Sequence, residues 1–259
     1  MKKILLKCTI LIVVLCSCQS RQQVTAPIST IDSTLQTNAT AILESKLSEI
    51  NAQSGQVIVM EVQSGQIKAL VGLTRKDSAN YQSCENFSVW QSTGLMHPIS
   101  LLAALETGKV KLSDKVDTGN GIYQIHGREL KDHNWHRGGY GTITIQQGLA
   151  VSSEIAVYKT IEKAFGSEQA YQAQLKKMEI NLDSLNTLEM LTLYNEIAKN
   201  GNIASKANTD SIKQALKYAV TNGLGLSAKS EKVQVAGKTG ALQLEDGSYI
   251  VCLLYTSPS

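Results

Sequence analysis

Apolar positions along the chain fall into runs of two kinds. VIVMEV (57–62) and IKALV (67–71) are short and rich in β-branched residues. Gln63-Ser64-Gly65-Gln66 between them carries turn residues, so the pattern predicts a hairpin. A polar stretch, 74–86, follows. From Pro98 the mainly apolar run ISLLAALETG stops at Gly108, which predicts a buried helix opening at the proline. Residues 111–141 hold Gly, Asp and His with short apolar pairs, and predict loops and short strands. Thr144 and Gln147 form a T-x-x-Q capping signal before a second apolar stretch. Ser152 and Ser153 interrupt it, and IAVYKTIEKAFG continues to a stop at Gly166. Helical patterns return at 168–178, 187–199 and 209–220. Residues 233–244 and 248–251 then flank Glu245-Asp246-Gly247, a second hairpin signal. The order hairpin, helices, hairpin predicts an α+β fold: one antiparallel sheet closed by the N- and C-terminal segments and packed with a helical subdomain.

The two ends read differently from the middle. Lys2, Lys3 and Lys7 precede an apolar run, Ile10 to Leu15, that is too short to span a bilayer. Leu15-Cys16-Ser17-Cys18 resembles a bacterial lipobox. Residues 1–17 are therefore expected to be a lipoprotein signal peptide, with Cys18 lipidated and the domain held outside the cytoplasm, in the periplasm. Residues 18–53 are expected to be a tether and N-terminal segment, flexible to about Ala39 because Gln, Ser and Thr dominate it. The folded domain is placed at 54–251. The last eight residues, CLLYTSPS (252–259), resemble the translation of a transposon-end sequencing adapter. On that reading native sequence stops near Val251 and the fold is C-terminally truncated. An open sheet edge would then make the chain as written unstable or aggregation-prone.

Composition narrows the function. The chain has 259 residues, 42% hydrophobic and 18% charged, enough to bury a core and unlike a disordered chain. Its net charge of +3 equals the lysines at 2, 3 and 7; without them 22 basic side chains face 22 acidic ones. A neutral domain has no nucleic-acid footprint. With 2 Trp, 9 Tyr and 2 Phe it also lacks the material for a base-stacking platform. Of the 5 cysteines, Cys8 and Cys16 leave with the leader, Cys18 takes the lipid and Cys252 lies in the tail. Cys84 is left as a lone thiol, so no disulfide is expected inside the domain.

The most informative hexapeptide is Val235-Ala236-Gly237-Lys238-Thr239-Gly240. A phosphate loop needs Gly at 232 and a helix after the motif. The chain has Lys232 and a strand pattern, so that reading fails twice. The alternative is K-T-G on the edge strand of a serine acyl-transferase. There the strand backbone pairs with an extended peptide, Lys238 and Thr239 bind its terminal carboxylate, and Gly240 permits close approach. The N–H of Ala241 would supply half an oxyanion hole.

This context resembles the transpeptidase domain of penicillin-binding proteins, of the serine β-lactamase superfamily, and most closely the class B enzymes. The segments that carry the resemblance are SGQVIVMEVQSGQIKALVG, HPISLLAALETGKVKLSDKVDTGNGIYQIHG, TITIQQGLAVSSEIAVYK, LTLYNEIAKNGNI and VAGKTGALQ, in the family's order. The resemblance implies a nucleophile motif S-x-x-K, yet no S-x-x-K occurs in the chain. Counting back from Pro98, the serine position holds Gly94 and the lysine position His97. Glycine offers no oxygen for an acyl-enzyme. Ser92 and Thr93 are nearby hydroxyls, but neither has a base one helical turn on. The second motif, S-x-N, reads Ser152-Ser153-Glu154, which keeps the serine and replaces the amide by a carboxylate. Glu154 is expected either to pair with Lys238, and so compete with an anionic substrate, or to be a solvated loop residue.

The resemblance therefore implies a pseudotranspeptidase, anchored to the membrane by lipid, that binds peptidoglycan stem peptides, β-lactams noncovalently, or cell-wall proteins. The alternative is an active D,D-transpeptidase or carboxypeptidase with a displaced nucleophile. No cofactor is expected. His126, His133 and His136, beside Asp132, invite a metal reading, but surface polar residues are the expected one and no metal is assigned. A Cys84–His97 catalytic pair is likewise disfavoured.

Overall fold

The computed structural model describes residues 30–256, apart from 79, 86, 88–92, 126, 183 and 184. Its first element is a helix, α1 (Ser33–Glu49), capped by Asp32, whose carboxylate accepts the N–H of Leu35 at 2.8 Å. The flexible tether expected to reach Ala39 is thus helical from Ser33 onward. Ala39, Leu43 and Leu47 recur every fourth residue and pack against Ala69, Val71 and Leu73. One apolar residue per turn is a narrow stripe, and it is hidden in a polar composition. Gln36 adds a tie to the sheet: its side-chain amide both donates to Leu70 O and accepts from Leu70 N–H, each at 2.8 Å.

The sheet under α1 is antiparallel, in the order β1 (Ser54–Met60), β2 (Ile67–Arg75), β3 (Tyr81–Ser83). Val57 pairs with Val71, as the predicted hairpin requires, and a bulge at Val59/Met60 leads into the turn. Gly65 takes φ 69° there, a conformation that favours glycine.

Helix α2 (Thr93–Glu106) is the centre of the larger core. Ile99, Leu101, Leu102, Ala103 and Ala104 are fully buried, so the helix is apolar on all sides. It begins before Pro98, not at it. Pro98 cannot donate to the carbonyl of Gly94, yet the turn ahead of it stays helical because it is buried and pinned from outside. Tyr194 donates its hydroxyl to Leu95 O at 2.9 Å.

Residues 111–141 form loops and short strands as expected. β4 (Lys115–Asp117) pairs with β7 (Thr142–Thr144), and β5 (Ile122–Ile125) with β6 (Arg128–Lys131). The predicted T-x-x-Q signal is a full capping box. Thr144 Oγ1 accepts from Gln147 N–H at 3.1 Å, and Gln147 Oε1 accepts from Thr144 N–H at 2.9 Å. It opens α3 (Ile145–Ala150), and α4 (Glu154–Phe165) follows to a left-handed Gly166. Three more helices complete the run: α5 (Glu168–Lys177), α6 (Thr187–Ala198) and α7 (Lys206–Asn222).

β8 (Ala236–Gln243) and β9 (Tyr249–Thr256) form the second predicted hairpin, with Lys238 opposite Leu254 and Gly240 opposite Cys252. The expected boundary between Val251 and Cys252 falls inside β9. The α+β class holds, but the single closed sheet does not. The β1–β3 sheet and the β8–β9 hairpin are separate ladders among the described residues, and each has its own packing. Strand patterns identify strands; they do not say which edges meet. No helix among the described residues is long and apolar enough to cross a membrane.

Candidate active site

Three chain segments far apart in sequence meet where α2 starts, α4 starts and β8 runs past. α2 contributes Gly94 and His97, one turn apart on one face. Gly94 lies against β8. A Cβ placed on it would sit 3.0 Å from Thr239 O, 3.1 Å from Gly240 Cα and 3.6 Å from Lys238 Nζ. The position read as the lost nucleophile therefore does face the K-T-G strand, and at closer range than a side chain comfortably allows. Ser92 lies outside the described residues. Thr93 is the first residue of α2.

His97 is 3% exposed. Its Nε2 lies 3.2 Å from Glu154 Oε2, within ion-pair range but off the line of a hydrogen bond, and its Nδ1 is buried without a hydrogen-bond partner. Glu154 is the first residue of α4, where the helix dipole favours a carboxylate. Its contact to His97 shows that it is no freely solvated loop residue, and its negative charge also acts on Lys238.

Lys238 is 2% exposed. Its ammonium donates to Ser152 Oγ and, at 2.6 Å, to Thr239 O. Burial lowers its pKa from 10.5 to about 8, against the opposing pull of Glu154. An ammonium has three donors, and these two bonds use two of them. Thr239 is half-buried, Gly240 buried and Ala241 exposed, so the strand offers backbone to solvent at its C-terminal half.

Ser152 itself has φ 52°, which a serine adopts rarely. The turn that forces it there is anchored from below by a residue that sequence reasoning set aside. Asp132 is completely buried. It accepts from Ser153 Oγ at 2.8 Å and from Ile155 N–H at 3.2 Å, while Ser153 Oγ accepts from Ala156 N–H at 3.0 Å. Asp132 thus extends the cap of α4. Burial raises its pKa above the usual carboxylate range, and these hydrogen bonds offset only part of that. Its neighbours in sequence made it look like one of a surface cluster, and no local signal marked it as buried. The surface reading does hold for His133, which is exposed and paired with the Tyr140 hydroxyl at 3.0 Å, and for His136, exposed beside Trp135. His126 lies outside the described residues. Among the described residues no group of three His, Cys, Asp or Glu is arranged to hold a metal. Cys84 directly follows β3, and its N–H donates to Gly72 O at 2.8 Å.

The constellation thus brings together Gly94, His97, Ser152, Glu154, Lys238, Thr239 and Gly240, with Ala241 next on the strand. Residues 55–183 match the family described as the penicillin binding protein transpeptidase domain. The K-T-G strand lies beyond that span. The apo transpeptidase domain of Burkholderia pseudomallei penicillin-binding protein 3 aligns at TM-score 0.68 and 19% identity, covering 88% of this chain and 83% of that one. The transpeptidase domain of the Legionella pneumophila FtsI4 D,D-transpeptidase aligns at 0.67 and 17%, covering 90% and 83%. A putative peptidoglycan glycosyltransferase from Atopobium parvulum aligns at 0.70 and 15%, covering 87% and 69%. At these identities the solved structures establish the shared fold. Comparison with curated proteins finds no match.

Proposed function

Since the chain carries a penicillin-binding-protein transpeptidase domain, we propose that it works as a pseudotranspeptidase of the cell envelope. It binds peptidoglycan peptides or cell-wall partners and forms no acyl-enzyme at the family's nucleophile position. The observation that carries this reading is Gly94. It stands where the nucleophile is expected, has no oxygen, and is packed so closely on Thr239 and Gly240 that a side chain meets backbone. His97, at the expected lysine position, is buried and turned toward Glu154. What survives is the binding strand. On this reading the remaining donor of Lys238 takes an anionic peptide terminus, and the backbone around Ala241 is exposed for β-type pairing.

Labelling with a fluorescent penicillin tests the reading directly. The expected result is no band that survives denaturation; a covalent adduct overturns it and supports the displaced-nucleophile alternative. Retention on purified peptidoglycan is expected for the folded chain, and loss of that retention in Lys238→Met would locate the binding at β8. We further propose that Cys18 carries a lipid that holds the domain at the membrane, outside the cytoplasm. Cys18→Ala should then move the protein from the membrane to the soluble fraction, and an unchanged distribution sinks the anchor.

A further inference from the structure

The loss of the nucleophile at position 94 leaves a second serine in contact with a lysine. Ser152 comes from the α3–α4 turn and Lys238 from β8, yet Lys238 Nζ donates to Ser152 Oγ. The contact is symmetric in one respect: as a neutral amine, the same Nζ accepts the serine proton across it. Three features of the surroundings suit a nucleophile. Lys238 is almost completely withdrawn from water, and that burial makes the neutral amine accessible in mildly alkaline solution. Ser152 is only partly buried, at the surface end of the contact. And Ser152 is held at φ 52°, in a turn pinned on both sides. Its own N–H donates to Leu149 O at 3.2 Å, that of Ser153 donates to Gly148 O at 2.8 Å, and Ser153 is locked to buried Asp132. Backbone strain of this kind persists where the surroundings over-determine it, and it clusters at functional sites.

We propose that Ser152 and Lys238 form a serine–lysine dyad that accepts acyl groups from small uncharged esters. Ser152 Oγ attacks the ester carbonyl and forms the Oγ–C bond while its proton passes to Lys238 Nζ. The ester C–O bond breaks, and the departing alkoxide takes that proton from Lys238. Solvent water then cleaves the acyl-serine, releases a carboxylic acid and restores the Ser152 hydroxyl. The partly exposed carboxylate of Glu154 beside the dyad sets the preference for uncharged donors over anionic ones. This activity is separate from the pseudotranspeptidase reading, which concerns Gly94 and carboxylate-bearing ligands.

The test uses an uncharged alkyl fluorophosphonate, which forms an Oγ–P bond with loss of fluoride. The whole chain should take up one label, mapped by peptide mass spectrometry to Ser152. Ser152→Gly should abolish labelling at least 50-fold while folding as well as the parent, because glycine relieves the positive φ. That variant separates loss of the nucleophile from loss of the fold. Lys238→Met should reduce labelling at least 10-fold, and Ser92→Ala should leave it unchanged. An unlabelled parent chain, a label mapped to another residue, or labelling that persists in Ser152→Gly overturns the dyad. None of these results bears on the penicillin experiment, so the two readings fail separately.

Discussion

Gly94 and Lys238 show how single residues decide the chemistry. Replacing Gly94 by serine does not simply restore a nucleophile. Removing a glycine from a helix favours folding by about 0.5–1 kcal/mol. Forcing a side chain into a packed contact costs about 1–3 kcal/mol, and the new Cβ meets Thr239 O at 3.0 Å. Gly94→Ser is therefore expected to lower stability by about 1 kcal/mol in a denaturant titration. It should also remain unlabelled by penicillin, because His97 faces Glu154 rather than the new hydroxyl. Lys238 makes a second residue-scale prediction. Its pKa is about 8 in the fold and 10.5 as the ordinary value, so between these pH values the unfolded chain binds more protons than the folded one. Stability from this group is lost as pH falls through 8 and fully present above 10.5. A shift of this size corresponds to roughly 3–4 kcal/mol. Subtracting the Lys238→Met stability profile from that of the parent should reveal this rise; a flat difference between pH 8 and 10.5 would contradict it.

At the scale of elements, helix starts are what bring the site together. The capping box of Thr144 and Gln147 opens α3 and is legible in the sequence, because both partners lie within one turn. The cap of α4 is not, since half of it is Asp132, 21 residues before Ser153 in the chain. Truncating Asp132 to alanine leaves the Ser153 hydroxyl and the Ile155 N–H buried without their acceptor, each worth about 1–3 kcal/mol. Asp132→Ala is expected to cost about 2–4 kcal/mol in chemical denaturation, and to loosen the turn that presents Ser152. A loss under 1 kcal/mol would show that the helix dipole and Ser153 suffice as a cap. α2 starts at Thr93, ahead of the expected Pro98, for a related reason. Local rules put a proline at the first helical position, but burial and the Tyr194 hydroxyl hold the preceding turn helical. Helix α1 is not legible in the sequence because Ala39, Leu43 and Leu47 make a stripe one residue wide, whose meaning depends on β2 lying beneath it.

Across the whole molecule the core falls into two packed units: α1 on the β1–β3 sheet, and the helical core with β8 and β9. In β9, Cys252 and Leu254 turn toward the core while Tyr249, Val251 and Leu253 face outward, with Val251 69% exposed. An apolar stripe on a strand of a two-stranded hairpin is expected to favour association with other chains. Val251→Lys should suppress concentration-dependent light scattering with less than about 0.5 kcal/mol change in stability, as for an exposed substitution. Unchanged scattering would place the aggregation hazard elsewhere.

Sequence alone determined the parts whose signals are local. Both hairpins, the Thr144 capping box, the Gly166 stop and the run of helices follow from periodicity and turn chemistry within a few residues. The K-T-G strand, the missing S-x-x-K and the altered S-x-N follow from the resemblance to a known family, carried over position by position. Tertiary structure alone decided what depends on contacts between distant segments. These are the ladders that stay apart, the burial of Asp132 under α4, the closeness of Gly94 to Thr239, the pairing of His97 with Glu154, and the meeting of Ser152 with Lys238. The physical reason is the same in each case. Burial and hydrogen-bond partnership are properties of pairs, and a side chain's chemistry changes with a partner the sequence places many residues away.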